Sequence, residues 1–408
     1  MSSTDKAKTR LWVISELYYP EETSTGYYLT RIAEGLVRDF EVNAVSGQPN
    51  YSARGIVAPR RETRNGVSIF RVSGTRLDKN VIPFRLVNMV TLSLSSFWLL
   101  LRKLRPGDRC LVVTTPPALP FVSAAASLIR GAEYSLLIHD NYPEILIAAG
   151  KLKEDSVLVN IFGLFNRWLY KHAARIVVVG RDMLELVAKK TRGLDVPMFV
   201  IQNWAELETV VPLPRESNTL LAELDLREKF VMLYAGNMGP PNDIESIIEA
   251  ADQLKQDTRF HFVFLGTGMK KKTTENDVKR RGLSNVTFLE PRPRSEQRDF
   301  LNACDIALVS LVKQMIGVSM PSRTYNILAA GKPMIGITEA GSELARVIEE
   351  ESVGWVVPPG DPLGLVDAIR EAAGDVADLA EKGQRARKAA EVKYSLENAI
   401  DLYRDALV

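Results

Sequence analysis

Cysteine and histidine are scarce in this chain of 408 residues: two cysteines, Cys110 and Cys304, and three histidines, His139, His172 and His261. No Cys/His group stands at ligand spacing, so no zinc site is read and no metal is expected. Each cysteine heads an apolar run, Cys110-Leu-Val-Val and Cys304-Asp-Ile-Ala-Leu-Val. Both therefore read as buried strand-side thiols in a reducing compartment, and neither placement calls for a disulfide. Neither sign of charge dominates, with 52 Lys+Arg against 50 Asp+Glu and a net charge of +2. That balance excludes a global field for nucleic acid and leaves only local basic patches. G-x-G-x-x-G and G-x-x-x-x-G-K-[ST] are both missing, which counts against dinucleotide oxidoreductases and P-loop NTPases. The opening Met-Ser-Ser-Thr-Asp-Lys-Ala-Lys-Thr-Arg has no apolar core of a secretory signal, so a cytoplasmic location is expected. Low-complexity tracts and short tandem repeats are lacking as well.

What is present is a regular alternation. Strand-like apolar runs fall at 11–15, 42–45, 110–114, 134–138, 176–179 and 198–201, and again at 231–235, 260–265, 286–289, 306–309, 333–337 and 355–357. Helical stripes separate them, such as Tyr28, Ile32, Ala33, Leu36 and Val37, or Ile244, Ile247, Ile248 and Ala251. Strands alternating with helices predict parallel sheets wrapped by helices. The chain is too long for one core, so two doubly wound α/β domains facing a cleft are expected. Val-Val-Pro-Leu-Pro-Arg-Glu-Ser-Asn breaks both periodicities within 206–227 and marks the junction. The predicted domains are 1–205 with 391–408, and 206–390. In the last segment, Leu396 to Val408, a further helical stripe appears.

Ligands of doubly wound sheets bind beyond the carboxyl ends of the strands, so the loops there are the candidates. Tyr19-Pro20-Glu21-Glu22-Thr23-Ser24-Thr25-Gly26 leads into the first helix. Its small residues suit an anion at a helix N-terminus as well as a plain cap by Ser24 or Thr25. His139-Asp140-Asn141-Tyr142-Pro143-Glu144 places an imidazole and two carboxylates beyond a strand, where His139 could bond a substrate hydroxyl. Asp140 or Asn141 capping a turn is the structural alternative. In the second half, Gly236-Asn237-Met238-Gly239, Gly266-Thr267-Gly268-Met269-Lys270-Lys271-Lys272 and Met320-Pro321-Ser322-Arg323 hold the same places. Pro321 and Ser322 read as a helix start, whose free N–H groups could hold a diphosphate together with Arg323. A tight turn, a solvated charge run and a simple cap are the alternatives for these three loops.

The apolar stretch 89–101 is flanked by Arg85, Arg102, Lys103 and Arg105. At 13 residues it is too short to span a bilayer, and a core helix is preferred over interfacial membrane binding.

Taken in order, these motifs resemble the bacterial family 4 glycosyltransferases of the GT-B fold, in the branch that builds colanic acid, O-antigen and capsule, described as fucosamine-transferase-like. The resemblance is carried by Tyr18-Tyr19-Pro20-Glu21 with Gly26, Gly47-Gln48-Pro49-Asn50-Tyr51, Thr114-Thr115-Pro116-Pro117 and the His139 to Glu144 motif. It continues through Arg175-Ile176-Val177-Val178-Val179, Gln202-Asn203-Trp204-Ala205, Tyr234 to Gly239, and the run from Pro321 to Pro333. It implies retaining transfer of a sugar from a UDP-, GDP- or dTDP-linked donor to a saccharide or polyprenyl-diphosphate-linked acceptor. No metal or other cofactor is required, and no nucleic acid is a partner. The protein would lie in the cytoplasm, with peripheral contact at the inner face of the cell membrane.

On the same resemblance His139 lies beside the donor sugar, Gly26 gives backbone contacts, Pro291 and Arg292 line the base pocket, and Ser322 and Arg323 meet the diphosphate. His139 and Arg323 are the catalytic candidates. Gly236, Asn237, Gly268, Lys270 and Asn326 complete the donor set. Asn50, Tyr51 and Arg54 of the loop 48–61, with Asp140 and Glu144, form the acceptor set, and the last helix returns to the first domain. The chain departs from the family at Asn237, where Arg is common, and at Val318 and Asn326, where a Glu pair is common. Arg323 aided by Lys270 or Lys332 is the expected source of positive charge. A noncatalytic GT-B subunit stays open as an alternative, and a GT-B nucleotide-sugar epimerase ranks last.

Overall fold

In a computed structural model of the chain, residues 8–50, 53, 55–77 and 81–408 are described. They form two compact units: Met1–Tyr142 with Val157–Ile201 and Ala399–Val408, and Pro143–Ser156 with Gln202–Asn398. The division thus falls four residues before the expected junction after Ala205, and Glu144 belongs with the second unit.

The strands of the first unit are β1 (Arg10–Ile14), β2 (Glu41–Ser46), β3 (Arg61–Arg64), β4 (Val67–Arg71), β5 (Arg109–Val113), β6 (Glu133–Ile138), β7 (Arg175–Val178) and β8 (Met198–Val200). Those of the second are β9 (Phe230–Ala235), β10 (Phe260–Leu265), β11 (Val286–Leu289), β12 (Ile306–Ser310), β13 (Met334–Ile337) and β14 (Gly354–Val357). The helices in chain order are α1 (Ser24–Gly35), α2 (Ile82–Lys103), α3 (Leu119–Arg130), α4 (Glu144–Ala148), α5 (Val157–His172), α6 (Arg181–Lys190), α7 (Thr219–Glu223) and α8 (Ile244–Gln253). They continue as α9 (Lys271–Arg281), α10 (Gln297–Asn302), α11 (Arg323–Ala329), α12 (Glu343–Glu351), α13 (Pro362–Gly374), α14 (Val376–Val392) and α15 (Leu396–Leu407).

The first sheet runs β3-β4-β2-β1-β5-β6-β7-β8 and the second β11-β10-β9-β12-β13-β14. Every pairing is parallel except β3 with β4. Central strands such as β1 and β12 are buried along almost their whole length, because helices cover both faces of a parallel sheet. The β3–β4 hairpin turns on Asn65 and Gly66, both at positive φ (45° and 83°), as a two-residue turn between antiparallel strands requires.

The end of the chain, Ala399–Val408, belongs to the first unit. A Cβ on Gly35 of α1 would lie 2.5 Å from Ile400 Cδ1 and 2.7 Å from its Cγ1 on α15, so a larger residue there would force the Ile400 side chain to shift. Arg404 then pairs with Asp39 at 2.7 Å. Both cysteines are buried and free. Burial pushes their thiols up to about 12, so they stay protonated and inert.

The helix over the 89–101 stretch is longer than its apolar run, beginning with Pro83 in its first turn. It is long and apolar enough to cross a membrane by length and composition. Leu92, Ser93, Ser96 and Leu100 are nevertheless buried in the unit, while the opposite face is exposed. The core-helix expectation therefore holds for one face only.

Candidate active site

The order of the parallel strands reverses between β1 and β5 in the first sheet and between β9 and β12 in the second. The loops leaving the carboxyl ends of these strands open the crevice in which such sheets bind ligands.

In the second unit, Arg323 lies at that point. Its Nη1 donates to the carbonyl of Ala235, the last residue of β9, at 3.1 Å. The guanidinium stacks on the buried ring of Tyr234, 4.9 Å from its centroid. Tyr234 in turn donates its hydroxyl to the Asn237 carbonyl at 2.8 Å, so one side chain carries the cation and pins the loop. Gly236 makes the arrangement possible. At φ 153° it lies outside the range of ordinary side chains, and a Cβ there would be 2.3 Å from Arg323 Nη1. Gly266 and Gly268 serve a related end: a Cβ on either would lie 2.1 Å from the Gly236 carbonyl or 2.4 Å from that of Met238. Met238 N–H donates to Thr267 O at 2.7 Å and Lys270 N–H to Met238 O at 2.9 Å, which interlocks the two loops. Among the described residues Ala235 O is the only acceptor of the Arg323 guanidinium, so its remaining donors are open to an anion.

Several expected donor residues are otherwise engaged. Lys270 Nζ pairs with Glu245 at 2.9 Å and donates to Asn242 O at 2.8 Å. It lines a 590 Å³ depression between α8 and α9 that contains neither Gly236 nor Arg323. Lys332 precedes β13 and so stands at the amino end of the sheet, opposite to Arg323, where it cannot assist it. Asn326 accepts from Glu206 N–H at 2.9 Å and reaches Gln297 at 3.4 Å, which makes it a strut for the segment entering the unit. Arg292, beyond β11 with the exposed Pro291, is shared between Glu296 and Glu223. Two of the N–H groups at the helix start are engaged, Thr324 and Tyr325 donating to Pro321 O and Ser322 O at 3.2 and 3.4 Å. Ser322 makes no capping bond, and α11 has only 7 residues. One cation escaped the sequence reading. Lys313, in the loop after β12, is exposed, lies 3.9 Å from a Cβ on Gly360, and makes no ion pair among the described residues.

In the first unit, the expected imidazole stands just past β6. The Nε2 of His139 is buried without a hydrogen-bond partner among the described residues. Burial lowers its pKa to about 4, so the ring is neutral at physiological pH. Neighbouring strand ends hold the motif: Thr114 Oγ1 donates to Asp140 O at 3.1 Å and Thr115 Oγ1 to the Asp140 carboxylate at 3.4 Å. From α5 and α6, Asn166 and Lys190 both donate to Tyr142 O, at 2.7 and 2.9 Å.

The loop after β1 is organised by Glu21, which is buried. Its carboxylate accepts from Asn50 N–H at 2.5 Å and Ala53 N–H at 3.3 Å, thereby gripping the loop 48–61, expected on the acceptor side. Tyr51 and Arg54 of that loop lie outside the described residues. Gly26 has a packing reason to be glycine, because a Cβ would lie 2.8 Å from Glu21 O. Thr23, not Ser24 or Thr25, occupies the cap position of α1, and its side chain makes no capping bond. Among the described residues no group of three or more His, Cys, Asp or Glu is placed to hold a metal ion.

Residues 24–204 match the family described as glycosyl transferase 4-like domain, and residues 229–375 match glycosyl transferases group 1. WbjE of Pseudomonas aeruginosa, named as a glycosyltransferase, is 31% identical over 363 residues, 89% of this chain and 89% of its own. WcaI of Escherichia coli (strain K12), named for glycosyl transfer in colanic acid biosynthesis, is 27% identical over 87% of this chain and 90% of its own. The fold is also that of HepE from Anabaena, whose crystal structure in complex with UDP-glucose gives a TM-score of 0.73 at 15% identity, over 98% of this chain and 99% of that one. With its two parallel α/β units, its paired domain matches and a relative of this identity along nearly its whole length, the chain belongs to the family 4 glycosyltransferases of the GT-B fold.

Proposed function

We propose that the chain is a retaining hexosyltransferase of cell-surface polysaccharide assembly, O-antigen or capsule. It moves a sugar from a UDP-, GDP- or dTDP-linked donor to a saccharide or polyprenyl-diphosphate-linked acceptor at the inner face of the cell membrane. The name of WcaI supports the pathway class, and the UDP-glucose held by HepE supports the donor class. The observation that carries the site is the Arg323 guanidinium, held on Tyr234 over Gly236 with open donors at the switch point of the second sheet.

In this reading Arg323 binds the leaving diphosphate and stabilises the charge that grows on it as the glycosidic bond breaks. Lys313 replaces Lys270 and Lys332 as the second cation. The incoming hydroxyl gives its proton to the departing diphosphate, so the step needs no protein nucleophile. His139, being neutral, acts as a hydrogen-bond partner of a sugar hydroxyl rather than as a charge. Asn237, Gly268 and Ser322 line the donor, Pro291 and Arg292 the base, and Gly26 the donor's approach. Asn50, Asp140 and Glu144 are assigned to the acceptor, while Asn326 is a positioning residue.

A second reading, a noncatalytic nucleotide-binding subunit, draws on Val318 and Asn326. The first is buried and apolar and the second is tied to Glu206, so neither supplies the carboxylate common in the family. Calorimetric titration of a nucleoside diphosphate panel tests the donor assignment. Arg323→Ala should weaken the preferred nucleotide by about 10- to 100-fold, the loss of one or two charge-assisted hydrogen bonds. Undiminished affinity would remove Arg323 from the diphosphate site.

A further inference from the structure

Three helices of the first unit, α2, α3 and α5, contain no Asp or Glu at all. Acidic residues number 50 in 408 across the chain, so about six would be expected in helices of this combined length. Their formal charges are all positive: Arg85, Arg102 and Lys103 on α2, Arg130 on α3, and Arg167 and Lys171 on α5.

The same helices leave apolar side chains in solvent. On α2, Leu86, Val90, Leu94 and Trp98 recur at every fourth residue, and all are exposed, Trp98 by 56%. On α5, Leu164 is exposed by 71% and Trp168 by 39%. α3 packs against both helices. The rings of Phe121 on α3 and Phe165 on α5 meet edge to face at 6.1 Å. The exposed rows therefore belong to one helical layer rather than to scattered positions. Contiguous exposed apolar surface of this kind marks an interaction site.

Charge decides which partner fits. Two copies of the chain joined through this face would set its cations against one another with no carboxylate between them. An anionic lipid surface offers both of the complements required, acyl chains for the apolar rows and phosphate for the cations. Two exposed tryptophans suit the boundary between headgroup and hydrocarbon, where an amphipathic ring is favoured. The buried row of Leu92, Ser93, Ser96 and Leu100 holds α2 in the unit, so the helix lies on a bilayer rather than across it.

We propose that the α2–α3–α5 layer docks on an anionic phospholipid bilayer, its apolar rows entering the acyl boundary and its arginines and lysines lying among the phosphates. This deepens the membrane location proposed above by naming the surface and the lipid charge. The test is co-sedimentation of the full chain with vesicles of phosphatidylcholine, alone or with about 30 mol % phosphatidylglycerol. Two double variants accompany it, Leu94→Glu with Trp98→Glu on α2, and Leu164→Glu with Trp168→Glu on α5.

The wild type should partition at least about tenfold better to the anionic vesicles, and each double variant should lose about tenfold or more of that binding. Arg102→Ala with Arg167→Ala, which leaves the apolar rows intact, should lose binding to a degree that fades as salt is raised. Equal binding to neutral vesicles, binding unchanged in the variants, or a dimer that the variants abolish in a protein that ignores vesicles would each overturn the proposal. Sedimentation does not read turnover. Vesicle binding without glycosyl transfer would therefore leave the docking surface standing and count against the enzymatic reading alone.

Discussion

Replacing Gly236 by alanine puts a methyl group where the Arg323 guanidinium lies. The new Cβ would be 2.3 Å from Nη1, 2.4 Å from Cζ and 2.8 Å from Nη2. Two effects follow, and they separate. Holding a non-glycine residue at φ 153° costs about 1–3 kcal/mol whatever surrounds it. Expelling the guanidinium loses its hydrogen bond to Ala235 O, about 1.5 kcal/mol, and its stacking on Tyr234, about 1 kcal/mol. Only the second effect depends on Arg323. In an Arg323→Ala background the three atoms nearest the methyl group are gone, so Gly236→Ala should be milder there by about 2 kcal/mol. Urea denaturation of the wild type, both single variants and the double variant, read by tryptophan fluorescence, measures this coupling. Titration of the same four proteins with nucleoside diphosphate should show Gly236→Ala nearly as impaired as Arg323→Ala. Additivity within about 0.5 kcal/mol would refute the reasoning, because it would mean that the guanidinium does not occupy the space over Gly236.

The other predictions concern the first unit and the response to pH. Burial lowers both His139 and His261 to about 4, against 6.5 in the unfolded chain. The unfolded state therefore binds more protons below pH 6.5, and stability should fall as pH drops from 6.5 towards 4. The slope should be about 1.4 kcal/mol per pH unit for the buried His139 and smaller for the part-exposed His261, whose shift solvent screens. His139→Asn should make the slope in that window shallower by one imidazole's share, and an unchanged slope would contradict the buried neutral ring. Glu21→Ala removes the acceptor of Asn50 N–H and Ala53 N–H and should destabilise by about 1–3 kcal/mol. It should also raise KM for the acceptor while leaving nucleotide affinity unchanged; the reverse pattern would take the loop 48–61 out of acceptor binding.

Much of the fold is legible because fully buried parallel strands are written as short continuous apolar runs. Val231 to Ala235 and Phe260 to Leu265 are readable without any partner in view. The β3–β4 hairpin is not, because Arg61-Glu-Thr-Arg has no apolar run, although Asn65-Gly66 is a visible turn signal. The true length of α2 escapes for a different reason. Arg85 and Asn88 interrupt its apolar residues ahead of Met89, and Pro83 is the cue to the real beginning.

The site is legible by residue type and illegible by pairing. His139, Gly236 and Arg323 stand out as chemistry at strand ends, but Arg323 and the Ala235 carbonyl are 88 residues apart. Nothing local says that the guanidinium requires the glycine. Pairings across 25 and 120 residues bind Lys270 to Glu245 and Asn326 to Glu206, and these remove two residues that spacing alone leaves free. Lys332 is a different case. The strand it precedes is plain in the sequence, and its place at the amino end of the sheet sets it apart from the anion site.

The central claim is transfer with retention from a nucleotide-sugar, dependent on Arg323. Its most direct test is proton NMR of the product formed from UDP-, GDP- and dTDP-sugars with a lipid-linked saccharide acceptor, using the wild type and Arg323→Ala. The account predicts that one donor is turned over, that the new glycosidic bond keeps the donor's anomeric configuration, and that Arg323→Ala loses most of the rate. An inverted linkage, or tight nucleotide binding with no transfer to any acceptor, would contradict it.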